Sequence, residues 1–358
     1  MAAVTSLRRP EPSFQVPPEL EAGEPPERRG LARDSVRLMV SSADGLEHRR
    51  FHELTTILQP GDLLVVNVSA TEPAAVDLTN GLIVHFSTRQ PGDFDIVEVR
   101  RRLGFGTERH LEVSEGELEL PGGASLELLA PFPVGSPTRR LWLARSQLHR
   151  PLTRYLARHG RPISYGHTTG VFPLEDYQTV FAKESGSAEM PSAGRPFSPL
   201  LVTHLATSGV RLAPLTLHTG VSSLEEGEAP FAEWFDVPMH SADLVNHTRA
   251  GGGRVIAVGT TVVRALETTV DELGQAHPGR GWTDLVVGKA HEVKAIDGLI
   301  TGWHEPSSTH LDMLLAIAGR SVIEASYEAA LDRGYLWHEF GDSHLILAGR
   351  RVRALESG

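Results

Sequence analysis

Three groups of residues in this sequence have the types and spacing to do chemistry. The first is histidine at the ends of strand-like stretches. His218 closes RLAPLTLH (211–218) and precedes Thr219-Gly220, His240 follows Met239 in VPMHSAD (237–243), and His304 lies in TGWHEPSSTH (301–310). An imidazole changes charge near neutrality, so each suits general acid or base work. With 17 histidines in the chain, a solvated or structural role remains open for any one of them. The second is GGGRVIAVGTTVVRALE (251–267), which reads as a buried strand ending at Gly259 and a helix capped by Thr260 or Thr261. Backbone N–H groups and the helix dipole make such an end attractive to a carboxylate or phosphate. Arg264 and Glu267 follow about one turn later. The same pattern also describes a plain junction with a threonine cap. The third is the pair YQTVFA (177–182), with Tyr177 and Gln178, and SAEMPSAGRPF (187–197 with its leading serine), with Ser192 and Gly194. Rich in glycine, serine and proline, it is either a ligand-covering loop or a surface connection. Trp303, Trp337, Tyr335 and Phe340 either stack on a nucleobase or fill the core.

Other chemistries lack support. The chain has no cysteine, which removes disulfides, thiolate metal sites and a cysteine nucleophile. It has no GxSxG, Walker A or GxGxxG pattern. His304-Glu305 runs into Pro306 rather than a helical zinc pair, and His304 and His310 match no familiar ligand spacing, so no metal is expected. The formal net charge is −11, so binding a polyanion requires a local basic patch. No apolar run approaches the roughly 18 residues of a membrane span. MAAVTSLRRP lacks the apolar stretch of a secretory signal. A cytoplasmic location without membrane contact is expected.

The elements that must position these residues are alternating strands and helices. VRLMV (36–40), a turn at Ala43-Asp44-Gly45, a short helix ending before Pro60, and the strand LLVVN open the pattern. The first dozen residues are expected to lack fixed structure. After residue 146 come helices in PLTRYLARHG (151–160) and SPLLVTHLATSG (198–209), strands RLAPLTLH and RVIAVGT (254–260), a helix TVVRALETTVDE (261–272), a strand DLVVG (284–288), and a helical pair over 311–334 broken near Gly319. Between about 76 and 146 the texture changes to short, often alternating runs separated by glycine and proline. These are LIVHF, DIVEVR, HLEVS (110–114), LELP, ASLELLA and RRLWLA. That predicts a larger α/β domain, residues 1–75 and 147–358, carrying an inserted, smaller antiparallel β-rich, barrel-like domain at 76–146.

Taken in order, eight blocks resemble the S-adenosylmethionine:tRNA ribosyltransferase-isomerase family of queuosine biosynthesis. They run from FQVPPELEAGEPPERRG (14–30) and FHELTTILQPGDLLVVN (51–67) through YQTVFA, GSAEMPSAGRPF, LTLHTG, IAVGTTVVRALE and GLITGWHEPSSTHLDMLLAIAG (298–319). FGDSHLIL (340–347), which holds Asp342, closes the series. The resemblance implies an α/β domain with a β-rich insertion. It implies transfer and isomerisation of the ribosyl part of S-adenosylmethionine onto 7-aminomethyl-7-deazaguanine in a tRNA anticodon loop, giving epoxyqueuosine and releasing adenine and methionine. The sulfonium acidifies the neighbouring C5′ hydrogens, so the reaction asks for a base and for positioning. By resemblance Gly259, Thr260, Thr261 and Arg264 line the site, and His218, His240 and His304 stand near the reacting groups. Glu267, Tyr177, Gln178, Ser192, Gly194 and Asp342 complete the substrate-binding set.

Some loop residues depart from the family pattern. NVSATEPAA (67–75) stands where the family has Asn-Asp-Thr-Arg-Val-Ile-Pro-Ala-Arg, so Ala70 and Ala75 replace arginines. Pro196 replaces a histidine, SSL (222–224) replaces Gly-Thr-Phe, and GWHEP (302–306) replaces Asn-Phe-His-Leu-Pro. Two other readings therefore stand beside the first. One is a paralogue that uses S-adenosylmethionine with another acceptor; the other is an inactive nucleoside- or tRNA-binding module.

Overall fold

The computed structural model describes residues 14–110, 112–133, 139–221, 231–288, 290–306 and 308–348. The expectations for the first dozen residues and for 222–224 lie outside them. In chain order the first part forms β1 (Arg37–Ser42), β2 (Gly45–Arg50), α1 (Leu54–Ile57), β3 (Leu63–Asn67) and β4 (Ser69–Thr71). Next come β5 (Ala75–Asp77), β6 (Leu82–Gln90), β7 (Phe94–Leu103), β8 (Gly106–Arg109), β9 (Gly116–Leu120), β10 (Ala124–Phe132), β11 (Leu141–Gln147), α2 (Leu152–His159) and β12 (Gly160–Arg161). The chain continues with β13 (Glu184–Ser187), α3 (Pro199–Thr207), β14 (Arg211–Leu217), β15 (Glu233–Val237), α4 (Met239–Ala250), β16 (Val255–Val258) and α5 (Thr260–Thr269). It ends with β17 (Gly279–Thr283), β18 (Gly298–Thr301), α6 (Thr309–Ala318), α7 (Arg320–Asp332) and β19 (Ser343–Leu347).

Nine strands form one mixed sheet in the order β17-β15-β14-β3-β16-β18-β19-β1-β2. Its middle is parallel: β3 pairs with β14 and β16, and β16 pairs with β18. The unbroken apolar run of β3 follows from burial on both faces. Leu63 and Val65 pack with Val245, Val263, Leu266 and Leu314 of α4, α5 and α6. Leu64 and Val66 point the other way, against Phe51, Leu54, Leu201 and Leu205. Each such side chain contributes about 1.5–3 kcal/mol on burial. Ser198 caps α3 by accepting the Leu201 N–H at 3.1 Å, with Pro199 at the first helical position. Gly319, at φ +79°, separates α6 from α7.

The second sheet is antiparallel, with eight strands in the order β12-β5-β6-β7-β11-β10-β9 and β8 beside β7. It curls into an open half-barrel whose end strands do not pair with each other. Val84, Val97, Leu126 and Trp142 fill one face. Helix α2 adds Leu152, Tyr155 and Leu156 to that core, and β12 pairs with β5. The contacts of this sheet thus run on past residue 147, where the change of texture ends.

Three local expectations are corrected. HLEVS is not a strand over its described residues, because the tight turn at Gly104-Phe105 makes β8 start at Gly106 and stop at Arg109, opposite Arg100. DLVVG is irregular: the Leu285 N–H bonds to Thr283 Oγ1 and the Leu285 carbonyl accepts from Arg264, so its backbone groups are taken by side chains. Neither threonine caps α5. Gly259 is the N-cap, at φ +100°, with no side-chain cap. Its left-handed geometry is what glycine permits as the chain leaves β16. Among the described residues no helix is long and apolar enough to cross a membrane.

Candidate active site

The parallel strands β3, β14, β16 and β18 deliver their carboxyl ends to one rim of the large sheet. A cavity of about 560 Å³ opens there, and Arg100 and Thr107 of the antiparallel sheet also line it. Ligands in open α/β sheets collect at such carboxyl edges. Asn67, the last residue of β3, stitches the rim together. Its Nδ2 donates to the Leu217 carbonyl at 2.8 Å, and its Oδ1 accepts from the N–H groups of Ser69 and Leu217. The same Nδ2 reaches Thr261 Oγ1 at 3.3 Å, which fixes the start of α5 against the end of β3.

Gly259, Thr260, Thr261 and Arg264 all line the cavity. Arg264 is heavily engaged. It forms a buried ion pair with Glu233 and donates to the carbonyls of Leu285, at 3.0 Å, and Thr283, at 3.3 Å. Glu233 also accepts the Gly220 N–H at 2.8 Å. Removing one partner from such a pair costs about 3–5 kcal/mol, because the other charge stays buried.

Histidines and carboxylates make the opposite wall. The His304 backbone N–H donates to Tyr327 Oη at 3.2 Å, and its Nε2 contacts Thr301 Oγ1 at 2.8 Å. The His310 ring lies 4.8 Å away. Among the described residues the His310 ring has no recorded hydrogen-bond partner. Burial, with the Arg264 charge behind it, lowers His310 to about 4. Burial, followed by the neighbouring histidines, holds His304 well below its usual value. Both rings are therefore neutral near pH 7.

A second cluster stands beside them. His167 Nε2 bonds to Glu339 at 3.0 Å, and the His338 ring stacks on His167 at 4.0 Å with an 11° tilt. Burial opposes charge on His167, but the bond to Glu339 and its negative charge outweigh it and raise the imidazole. Burial and the charge of His167 bring His338 to about 4. His338, at φ +69°, is held in the left-handed region by bonds on both sides: Trp337 N–H to Leu20 and Gly341 N–H to the His338 carbonyl. The ligand atoms of His167, His338 and Glu339 lie within 4.8 Å of one another. Glu189 and Glu305 add two carboxylates to the lining, and Tyr165 Oη donates to Glu189.

The remaining candidates divide. Tyr177 and Ser192 line the cavity. Gln178 does not: it clamps Thr71, accepting the Thr71 N–H at 3.0 Å and donating to the Thr71 carbonyl at 2.8 Å. Gly194 is buried beside Thr179, where a Cβ would meet a methyl at 3.3 Å. Glu267 accepts the N–H groups of Lys294 and Ala295 and contacts His291, so it anchors the loop before β18. Asp342 grips Arg37 and the Leu336 N–H. His240 is exposed on the first turn of α4 rather than at a strand end. His218 bonds through Nδ1 to Ser69 Oγ at 2.7 Å and stacks on Trp234, outside the lining. Of the aromatics, Trp337, Tyr335 and Phe340 are core, and Trp303 combines core packing with one edge on the cavity.

Sequence reasoning missed His167, Glu189, Glu233, His338 and Glu339 as cavity residues, and set His310 aside as a mismatch to ligand spacings. No periodicity marks them. The nearest signal is position: His338-Glu339 directly precedes the FGDSHLIL block, and Glu189 lies inside GSAEMPSAGRPF.

The family described as queuosine biosynthesis protein matches residues 11–346. An S-adenosylmethionine:tRNA ribosyltransferase-isomerase of Moorella thermoacetica is 36% identical, over 95% of this chain and 100% of that protein. One from Symbiobacterium thermophilum is also 36% identical, over 93% of this chain and 98% of its own length. The crystal structure of the S-adenosylmethionine tRNA ribosyltransferase from Thermotoga maritima is similar at a TM-score of 0.52 and 29% identity, covering 93% of this chain and 99% of that one.

Proposed function

The chain belongs to the queuosine biosynthesis protein family, and on that premise we propose that the cavity at the rim of the large sheet is where its reaction takes place. The protein is an enzyme of tRNA modification. It transfers and isomerises the ribosyl moiety of S-adenosylmethionine onto 7-aminomethyl-7-deazaguanine in tRNA, giving epoxyqueuosine. S-adenosylmethionine is a co-substrate that is consumed. The cytoplasm, where tRNA is matured, is the setting we assign to it.

The reading of the site rests on the His304–His310 pair. The step that opens the reaction takes a proton from the carbon beside a sulfonium, and a neutral imidazole within the cavity can accept it. His310 has no competing hydrogen bond and faces the lining, so it is the base; His304, tied to Thr301 and Tyr327, positions it. The carboxylates of Glu189, Glu305 and Glu339 favour the cationic sulfonium and the acceptor's ammonium group. The free N–H groups at the start of α5, after Gly259, suit the methionine carboxylate. Met190, Phe231, Val287 and Met313 offer apolar surface to the adenine. The bond from the sugar to adenine breaks and adenine takes up a proton; the acceptor amine forms its new bond to the sugar carbon and gives a proton up; and a sugar oxygen closes the epoxide as the carbon–sulfur bond breaks and methionine departs. Most of the acceleration then comes from holding three partners in one place.

The test is His310→Gln. Binding of S-adenosylmethionine should persist, while formation of epoxyqueuosine falls by about 10²–10⁴, the usual contribution of a general base. Product formation at the wild-type rate overturns the assignment.

A further inference from the structure

The antiparallel sheet contributes more to the cavity than a wall. The β7–β8 hairpin borders it through Arg100 and Thr107, and its placement is fixed by close packing. At Gly106 a Cβ would lie 1.9 Å from the Tyr165 carbonyl oxygen, so backbone packs directly on backbone. Ser164 Oγ donates to the Phe105 carbonyl at 3.1 Å, and Thr107 Oγ1 donates to the Ser164 carbonyl at 3.2 Å. The segment gripped in this way leads through Tyr165 and Gly166 to His167, all of which line the cavity. At the tip, Leu103 and Phe105 are 50% and 53% exposed, and Leu103 reaches over Gly166.

The charge around this tip runs against that of the whole chain. Two carboxylates are each shared by two arginines: Glu98 by Arg100 and Arg140, and Asp77 by Arg102 and Arg161. Around Asp77 this leaves a surplus positive charge. Arg101 is exposed and donates to His110 Nδ1 at 3.3 Å; among the described residues it makes no ion pair, and Glu108 is its cross-strand neighbour. In a protein of net charge −11, a basic rim with an exposed aromatic ring beside the cavity is the local patch that a polyanion requires.

We propose that the β7–β8 hairpin is the docking platform for the single-stranded anticodon loop of the tRNA substrate. Arg101 and the arginines on Asp77 take phosphates, and Phe105 stacks on a base next to the one inserted into the cavity. Unpaired RNA is held in this way, by cations along the backbone and aromatic faces under the bases. The proposal rests on the tRNA reading above. Its occupant is RNA rather than a protein because the exposed apolar area is a single ring and a leucine within a field of guanidinium groups.

The experiment measures binding of tRNA bearing 7-aminomethyl-7-deazaguanine across a salt series, with S-adenosylmethionine binding followed in the same samples. Phe105→Ala should weaken tRNA binding about ten-fold with an unchanged salt slope. Arg101→Gln should weaken it several-fold and reduce the slope by about 0.7, the loss of one phosphate contact on a single strand. Both variants should bind S-adenosylmethionine as the wild type does. Wild-type tRNA affinity and slope in both variants overturn the docking platform and leave the enzymatic reading intact. Absence of tRNA binding by the wild-type protein at low salt, with S-adenosylmethionine still bound, overturns both.

Discussion

The rings of His304 and His310 lie 4.8 Å apart, inclined at 31°, and neither is paired with a carboxylate. That relationship separates them from His167, whose Nε2 is held by Glu339. Two histidine environments thus share one cavity. One favours the neutral imidazole and the other the charged one, and divergence of this kind assigns acid and base roles.

The first prediction concerns the titration of His310. Lowered to about 4, it should stay neutral across the range where an ordinary histidine gains its proton. In a histidine-labelled sample, the nuclear magnetic resonance signal missing from His310→Gln should not shift between pH 8 and pH 5.5. A midpoint near 6.5 contradicts the environment described for it.

Acid should destabilise the fold through the same physics. His310 and His338 are lowered to about 4 and His344 to about 3, each from 6.5. Their folded values lie below their unfolded ones, so the unfolded chain binds more protons once the pH drops under 6.5. Stability is fully present above that point and is lost as pH falls through 6.5 toward 4. The thermal midpoint should fall steadily between pH 7 and pH 5; a flat profile contradicts the burial of these rings.

Arg264 lines the cavity and is also half of a buried ion pair. Arg264→Met should cost about 3–5 kcal/mol of stability by stranding Glu233. Arg264→Met with Glu233→Gln should recover part of that loss, because both charges leave together. Denaturant unfolding of the two single variants and the double variant gives the coupling energy. Additive losses contradict the pairing.

Glu267 is a structural anchor. Glu267→Ala leaves the Lys294 and Ala295 N–H groups without their acceptor. It should cost about 2–3 kcal/mol, and S-adenosylmethionine affinity measured on the folded protein should change little. A large loss of affinity at unchanged stability restores Glu267 to the binding set.

Much of the architecture is legible in the sequence because local pattern and burial agree there. LLVVN is apolar on both faces since it lies mid-sheet, Ser198-Pro199 marks the start of a helix, and Gly319 marks a break. DLVVG misleads because its apolar residues serve the core and the cavity while its backbone bonds go to side chains. Within the site, the Gly259–Arg264 stretch is readable because strand, turn and helix lie together in sequence. His167 and Glu339 are 172 positions apart, and only the folded chain joins them. Asp342 and Glu267 look like site residues by type and block, yet each spends its oxygens on backbone N–H groups and one neighbouring side chain. Composition gives an acidic chain, and it hides the basic rim because the two arginines that share Asp77 come from separate strands.

The most direct test of the central claim is incubation of the purified protein with S-adenosylmethionine and tRNA bearing 7-aminomethyl-7-deazaguanine, followed by mass spectrometry of the nucleosides and small products. The account predicts epoxyqueuosine in the tRNA together with released adenine and methionine. Unmodified tRNA, from a sample that binds both substrates, contradicts it.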